Sequence, residues 1–169
     1  MVEKYDKIGD RANFHMIGHL QSNKVKYIID KVSLIHSLDR LSLAKELQKR
    51  ARKLGITVNA LIQVNVAEEE SKFGLKVDEV IPFIKEIKAF ENIKIKGLMT
   101  IAPYVEDPEE VRRVFRDLRK LSQDIAKMNF ENVEMNILSM GMTNDYKVAI
   151  EEGANMIRIG TGLFGKRNY

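Results

Sequence analysis

Six short apolar runs, separated by longer stretches of helical period, constrain this chain more than any other feature. The runs are Phe14 to Ile17, Leu34 to His36, Val58 to Val66, Ile93 to Met99, Val133 to Leu138 and Met156 to Ile159. Several are apolar almost throughout, as strands buried on both faces are. Between them the period lengthens to about 3.6 residues. Asp39 stands where it can cap a helix carrying Leu43, Leu47, Ala51 and Leu54, which Gly55 ends. Val77, Val80, Ile81, Ile84 and Ile87 make a second stripe, with Pro82 near its start. Val111, Val114, Phe115, Leu118, Leu121 and Ile125 make a third. Shorter helices are expected over 22–29 and 143–151, the second closed by Gly153. This alternation predicts an α/β fold, a parallel sheet with helical crossovers.

The 169 residues carry no linker, low-complexity tract or charge block, so residues 1–169 read as a single domain. Six strands fall short of the eight in a closed (β/α)8 TIM-type barrel of ~250 residues. If the last two runs are strands seven and eight, about six βα units are present. The first two, roughly 30 residues each, are then missing. An open doubly wound sheet is the competing reading. Against it, Ile17-Gly18-His19-Leu20-Gln21 after the first run holds one glycine where a dinucleotide fingerprint needs several.

Composition narrows the chemistry. Cysteine is absent, which excludes disulfides, thiol catalysis and thiolate-held metals and fits a cytoplasmic protein. No apolar run approaches the ~18 residues of a membrane span. The three histidines, His15, His19 and His36, lack metal-site spacing, and His15 and His36 read as satisfied core or mouth histidines. The net charge of +4 is compatible with an anionic ligand. The basic run Arg112 to Lys120 lies on the outer face of the third stripe and reads as a solvated helix face, not a nucleic-acid surface.

The last two runs end in small polar or glycine-rich segments, Ser139-Met140-Gly141-Met142-Thr143 and Arg158-Ile159-Gly160-Thr161-Gly162. Hydroxyls and bare N–H groups of Ser139, Gly141, Gly160 and Thr161 suit a phosphate, and the last two strands are where a (β/α)8 barrel holds one. The same residues also suit plain strand-to-helix turns. Arg158 sits inside an apolar strand, where a charge needs a partner: a ligand, or a carboxylate near the mouth.

Taken together, several segments resemble one family along essentially the whole chain. Phe14-His15-Met16-Ile17-Gly18-His19-Leu20-Gln21-Ser22-Asn23-Lys24 is similar to its FHxIGxLQxNK segment. Leu61-Ile62-Gln63-Val64-Asn65, Ser71-Lys72-Phe73-Gly74 and Gly97-Leu98-Met99-Thr100 follow in order. So do Ser139-Met140-Gly141-Met142, then Arg158-Ile159-Gly160-Thr161 with Phe164-Gly165. These resemble the pyridoxal-phosphate homeostasis proteins of the YggS/PROSC type.

The resemblance implies a fold like the N-terminal barrel of alanine racemase and a role in holding pyridoxal 5′-phosphate (PLP), without established catalysis. It implies that Ser139 binds the phosphate by its hydroxyl and Gly160 and Thr161 by backbone N–H, with Met140, Gly141 and Ile159 in the same turns. Arg158 then faces the pyridine nitrogen. The family's Schiff-base lysine lies on an earlier strand that has no counterpart here, which implies non-covalent binding in a truncated barrel. A racemase-like remnant or another phosphate-binding barrel enzyme is the alternative. Lys72 either approaches the aldehyde or is a solvated loop lysine. His19 is a candidate for the pocket wall, and Asn65 either contacts the ligand or fixes its loop. Open sheet edges imply self-association.

Overall fold

The computed structural model describes residues 2–165. Six strands, β1 (His15–Met16), β2 (Leu34–Leu38), β3 (Val58–Gln63), β4 (Ile93–Met99), β5 (Val133–Met142) and β6 (Met156–Arg158), form one sheet in the order β1-β2-β3-β4-β5-β6. Every neighbouring pair is parallel. Each crossover therefore advances one strand in the same direction, and crossovers of one hand lay their helices on one face. A doubly wound sheet reverses its order partway and covers both faces. The competing reading is excluded.

The sheet is curled. In a flat sheet β2 and β5 would stand three strand spacings apart, roughly 14 Å. Instead His36 on β2 and Ser139 on β5 lie 3.0 Å apart through their side chains. The result is an α/β half-barrel with helices outside and a narrow interior. Helices α2 (Leu41–Leu54), α3 (Val77–Ile87) and α4 (Arg112–Ala126) bury most of the apolar stripes expected of them, while Leu54 and Val77 at the helix ends are exposed. Leu43, Leu47, Val80, Ile84, Phe115 and Leu118 pack on the outward strand residues Ile35, Ala60, Ile62, Ile93 and Ile95. Leu34, Leu61 and Met99, joined by Ile137 and Met156, form a separate cluster on the inner face. Strand alternation sorts the two sets, because successive side chains point to opposite faces.

Some local expectations differ from the structure. Asp39 does not cap α2: Arg40 holds the N-cap position, and Asp39 accepts a 2.6 Å hydrogen bond from the Arg40 guanidinium. The helix expected over 22–29 is a 3₁₀ helix, Ser22–Tyr27. Ser139 to Met142 is not a turn, since β5 runs through it. Gly141 makes this possible. At φ +90° it bends the strand, and a Cβ there would lie 2.7 Å from the Ala149 Cβ and 3.0 Å from the Tyr146 Cα. Its bare backbone lets α5 (Tyr146–Glu151) pack against the strand end. The turn begins at Thr143, and α5 is shorter than the 143–151 span expected.

Among the described residues, no helix is long and apolar enough to cross a membrane. No group of three or more His, Asp or Glu among them is placed to hold a metal ion.

Candidate functional site

The inner face carries an apolar layer and, one step nearer the strands' C-terminal ends, a polar one. Above Leu34 comes His36; above Leu61, Gln63; above Ile137, Ser139; above Met156, Arg158. Polar groups in so dry a place must satisfy one another. Gln63 donates to the Phe73 carbonyl at 3.0 Å. Arg158 donates to the Ser139 hydroxyl oxygen at 2.8 Å and to the Thr100 carbonyl at 2.8 Å. That carbonyl is itself held, because Thr100 donates its hydroxyl to Val64 O at 2.7 Å and its N–H to Ser139 O at 3.1 Å. Ser139 meets His36 Nδ1 at 3.0 Å, and His36 Nε2 meets His15 Nδ1 at 3.1 Å.

The electrostatics follow from burial. Desolvation, with His15 and Arg158 adding repulsion, pushes the His36 imidazole down to about 4. Burial lowers His15 as well. Arg158 is pushed down to about 10 by desolvation while the Asp145 carboxylate opposes the fall, so the guanidinium stays cationic at neutral pH. His36 therefore ties stability to acidity. Its folded pKa is depressed, so the unfolded chain takes up the proton first. The contribution is complete above pH 6.5 and is lost as pH falls from there towards about 4. We expect His36→Asn to flatten this part of the stability profile, which amounts to roughly 3 kcal/mol in the wild type. Urea midpoints at neutral pH and near pH 4.5 measure it.

Above the polar layer a cavity of about 470 Å³ opens at the C-terminal ends of β5 and β6. Arg158, Gly160 and Thr161 line it together with Thr143 and Asn144, and Tyr104 and Met142 supply apolar wall. The two threonine hydroxyls stand 3.2 Å apart, and the Gly162 N–H donates to Thr143 Oγ1 at 3.2 Å. A Cβ on Gly160 would meet nothing within 4 Å, so its backbone opens onto free space. Asn144 ties this rim to the strand β4 side by donating to Val105 O at 3.0 Å.

The structure thus brings Arg158, Gly160 and Thr161 together in one cavity. Ser139 is fully buried behind Arg158, its hydroxyl engaged by Arg158 and His36. Met140 faces outward into the helix-side core, Gly141 lies against α5, and Ile159 packs by Gly162 and Thr143. Asn65 engages both ends of its amide with the Glu69 backbone, which fixes its loop. Lys72 forms an ion pair with Glu69. His19 stacks on Phe73 with ring centroids 3.9 Å apart and its Nδ1 is 3.5 Å from Asp39. These three lie on loops after β1 and β3 and do not line the cavity above Arg158.

Sequence reasoning missed Thr143, Asn144 and Tyr104 as cavity residues and Thr100 as an anchor for Arg158. Thr143 was within reach, since it follows the bend at Gly141 as Thr161 follows Gly160.

Half-barrel and cavity together define one protein class. A family model described as "Alanine racemase, N-terminal domain" matches residues 6–168. The pyridoxal phosphate homeostasis protein of Aquifex aeolicus is 49% identical, with 99% of this chain matched to 73% of that protein. The Helicobacter pylori (strain 26695) protein of the same name is 41% identical over 89% of this chain and 66% of its own length. PipY of Synechococcus elongatus, solved without PLP, superposes with a TM-score of 0.89 at 30% identity, covering 97% of this chain and 77% of PipY. Its PLP-bound structure gives 0.86 at 29%. The chain belongs to the pyridoxal phosphate homeostasis protein family. Alanine racemase of Corynebacterium glutamicum shares the fold, with a TM-score of 0.74 at 14% identity.

Proposed function

We propose that this chain binds PLP reversibly in the cavity above Arg158 and takes part in PLP homeostasis as a carrier. The observation that carries the reading is one cationic side chain, anchored by two acceptors, at the floor of a cavity walled by hydroxyls and open glycine backbone. The cavity's size falls within the usual range for small-ligand sites. In this reading Arg158 faces the pyridine nitrogen. Thr143, Thr161 and the Gly160 backbone take the phosphate, and Ser139 acts by holding Arg158. PipY, a relative of the same fold, has been solved with PLP bound.

Bound PLP supplies a conjugated aldehyde whose reactivity depends on the charge at the ring nitrogen. A guanidinium at that nitrogen disfavours its protonation, because two adjacent cations repel. That setting favours carriage over carbanion chemistry, so we read the chain as a binding protein. Lys72, held in an ion pair with Glu69 away from the cavity, keeps only a secondary place as a candidate covalent partner. PLP added to the purified chain should give a saturable shift in its absorbance, and borohydride treatment should leave the intact mass unchanged. An adduct at Lys72 or Lys24 would replace non-covalent holding with imine formation.

We further read the six βα units as the last six of an eight-unit barrel, because the cavity lies on the final two strands as barrel phosphate sites do. The chain then acts as one domain in the cytoplasm. Among the described residues, the outer edges of β1 and β6 have no strand neighbour, and exposed Ile17 and Ile157 lie beside them. Such edges recruit further strands. Light scattering is expected to show a dimer or larger species, and a monodisperse monomer would refute this part.

A further inference from the structure

Two cavities lie at opposite ends of the half-barrel interior. One is the cavity above Arg158. The other, about 350 Å³, opens at the N-terminal end and is lined by His15, Leu34 and Ile137, with the Lys96–Glu134 ion pair on its rim. A single file of hydrogen-bonded side chains, His15, His36, Ser139 and Arg158, runs between them from β1 to β6. We propose that His36 is a positioning residue for the ligand site, holding Arg158 in place by accepting the Ser139 hydroxyl proton, and that His15 links this hold to the N-terminal cavity. The proposal rests on the reading of Arg158 as a PLP contact.

The file has a direction. A guanidinium only donates, so Ser139 Oγ accepts from Arg158. Ser139 is fully buried, and its remaining hydrogen faces His36 Nδ1 at 3.0 Å. If Nδ1 accepts, His36 carries its proton on Nε2 and donates it to His15 Nδ1. His15 then carries its own proton on Nε2. In this order Arg158 only donates, Ser139 and His36 each accept one hydrogen bond and donate another, and His15 accepts at Nδ1. The reverse order would leave the Ser139 hydrogen without an acceptor in a dry interior, which is costly.

The direction has a consequence for acid. A second proton on His15 places an N–H at Nδ1, against the His36 Nε2–H. His36 must then move its proton to Nδ1, and Ser139 loses its acceptor. A second proton on His36 itself removes the same acceptor and sets a cation beside Arg158. The charged groups acting along the file are His15 and His36 themselves, Arg158 from β6, Asp145 from the turn before α5, and the Lys96–Glu134 pair at the far rim. Acid on the imidazole pair thus loosens the hold on Arg158.

Three measurements on the full chain test this. Nitrogen-15 NMR of the histidine rings in the ligand-free chain should show Nδ1 bare and Nε2 protonated on both His15 and His36. The Arg158 guanidinium signals, slowly exchanging in the wild type, should broaden in His36→Leu and return in His36→Asn, whose amide oxygen can take the Nδ1 position. PLP affinity should fall about tenfold in His36→Leu and recover in His36→Asn, the size expected when a buried hydroxyl loses its acceptor. It should also fall in acid more steeply in the wild type than in His36→Asn, which shares the ligand's own titration. A proton on His36 Nδ1, or Arg158 signals indifferent to His36→Leu, would overturn the proposal. If His36→Leu does not fold, the wild-type tautomers and the contrast with His36→Asn decide. Should the wild type take up no PLP, the ligand reading fails while the ring and guanidinium signals still decide the relay.

Discussion

Gly97→Ala is expected to abolish the folded state at ambient temperature, the largest effect of any single methyl group added to this chain. Gly97 sits in the middle of β4 at φ +152°, paired in register with Ile137 of β5. A Cβ there would lie 1.9 Å from the Ile137 carbonyl oxygen, 2.7 Å from its carbon and 2.9 Å from its nitrogen. All three are backbone atoms of the neighbouring strand, so no rotamer change relieves the clash. The two strands would have to separate at the register shift between Ile95 and Gly97, next to the layer that carries Met99 and Thr100. Losses above ~4 kcal/mol belong to this kind of mechanism, and they approach the total stability of a small domain. Gly55→Ala is the control. Gly55 also has positive φ, +65°, but a Cβ there meets nothing within 4 Å. Its cost should be limited to the left-handed backbone term of about 1–2 kcal/mol. Denaturant midpoints of the two variants measure the contrast, and equal losses would contradict the packing argument.

Arg158→Met is expected to weaken PLP binding by about tenfold to a hundredfold while leaving the half-barrel folded. The guanidinium is the cationic group at the cavity floor, and its hydrogen bonds to Ser139 and Thr100 fix where it points. Methionine fills similar volume without charge or donors. Losing a charge-assisted contact in a half-enclosed site costs roughly 1.5–3 kcal/mol, a tenfold to hundredfold loss in affinity. Arg158→Lys should restore only part of it, since one ammonium cannot reach both anchors and also present a fixed edge to the ligand. Binding isotherms report the affinities, and far-ultraviolet circular dichroism reports whether the fold survived. Unchanged affinity in Arg158→Met would show that the ligand contacts lie elsewhere.

Much of this architecture was legible before the structure. Strands buried on both faces read as largely apolar runs, and the runs Leu34 to His36 and Val58 to Val66 carry the two strands buried almost throughout. Arg158, Gly160 and Thr161 stood out because a charge and two small residues interrupt the last such run. What was hidden depended on curvature. His36 and Ser139 are 103 residues apart and meet only because the sheet curls, so no local pattern links them. Gly141 reads as a turn in sequence but serves as a bend within a strand, where a helix comes too close for a side chain. Asp39 has the chemistry of a helix cap, yet Arg40 and His19 draw its carboxylate away. Asn65 could have faced a ligand or its own loop, and the position of the Glu69 backbone gave it the loop.

Equilibrium dialysis of the purified chain against PLP, and separately against pyridoxal, tests the central claim most directly. If the cavity above Arg158 holds the ligand through both its ring and its phosphate, PLP will be retained saturably at one molecule per chain. Pyridoxal will be held far more weakly, and excess inorganic phosphate will displace PLP. Retention of pyridoxal equal to PLP, or no saturable retention of PLP, would contradict the account.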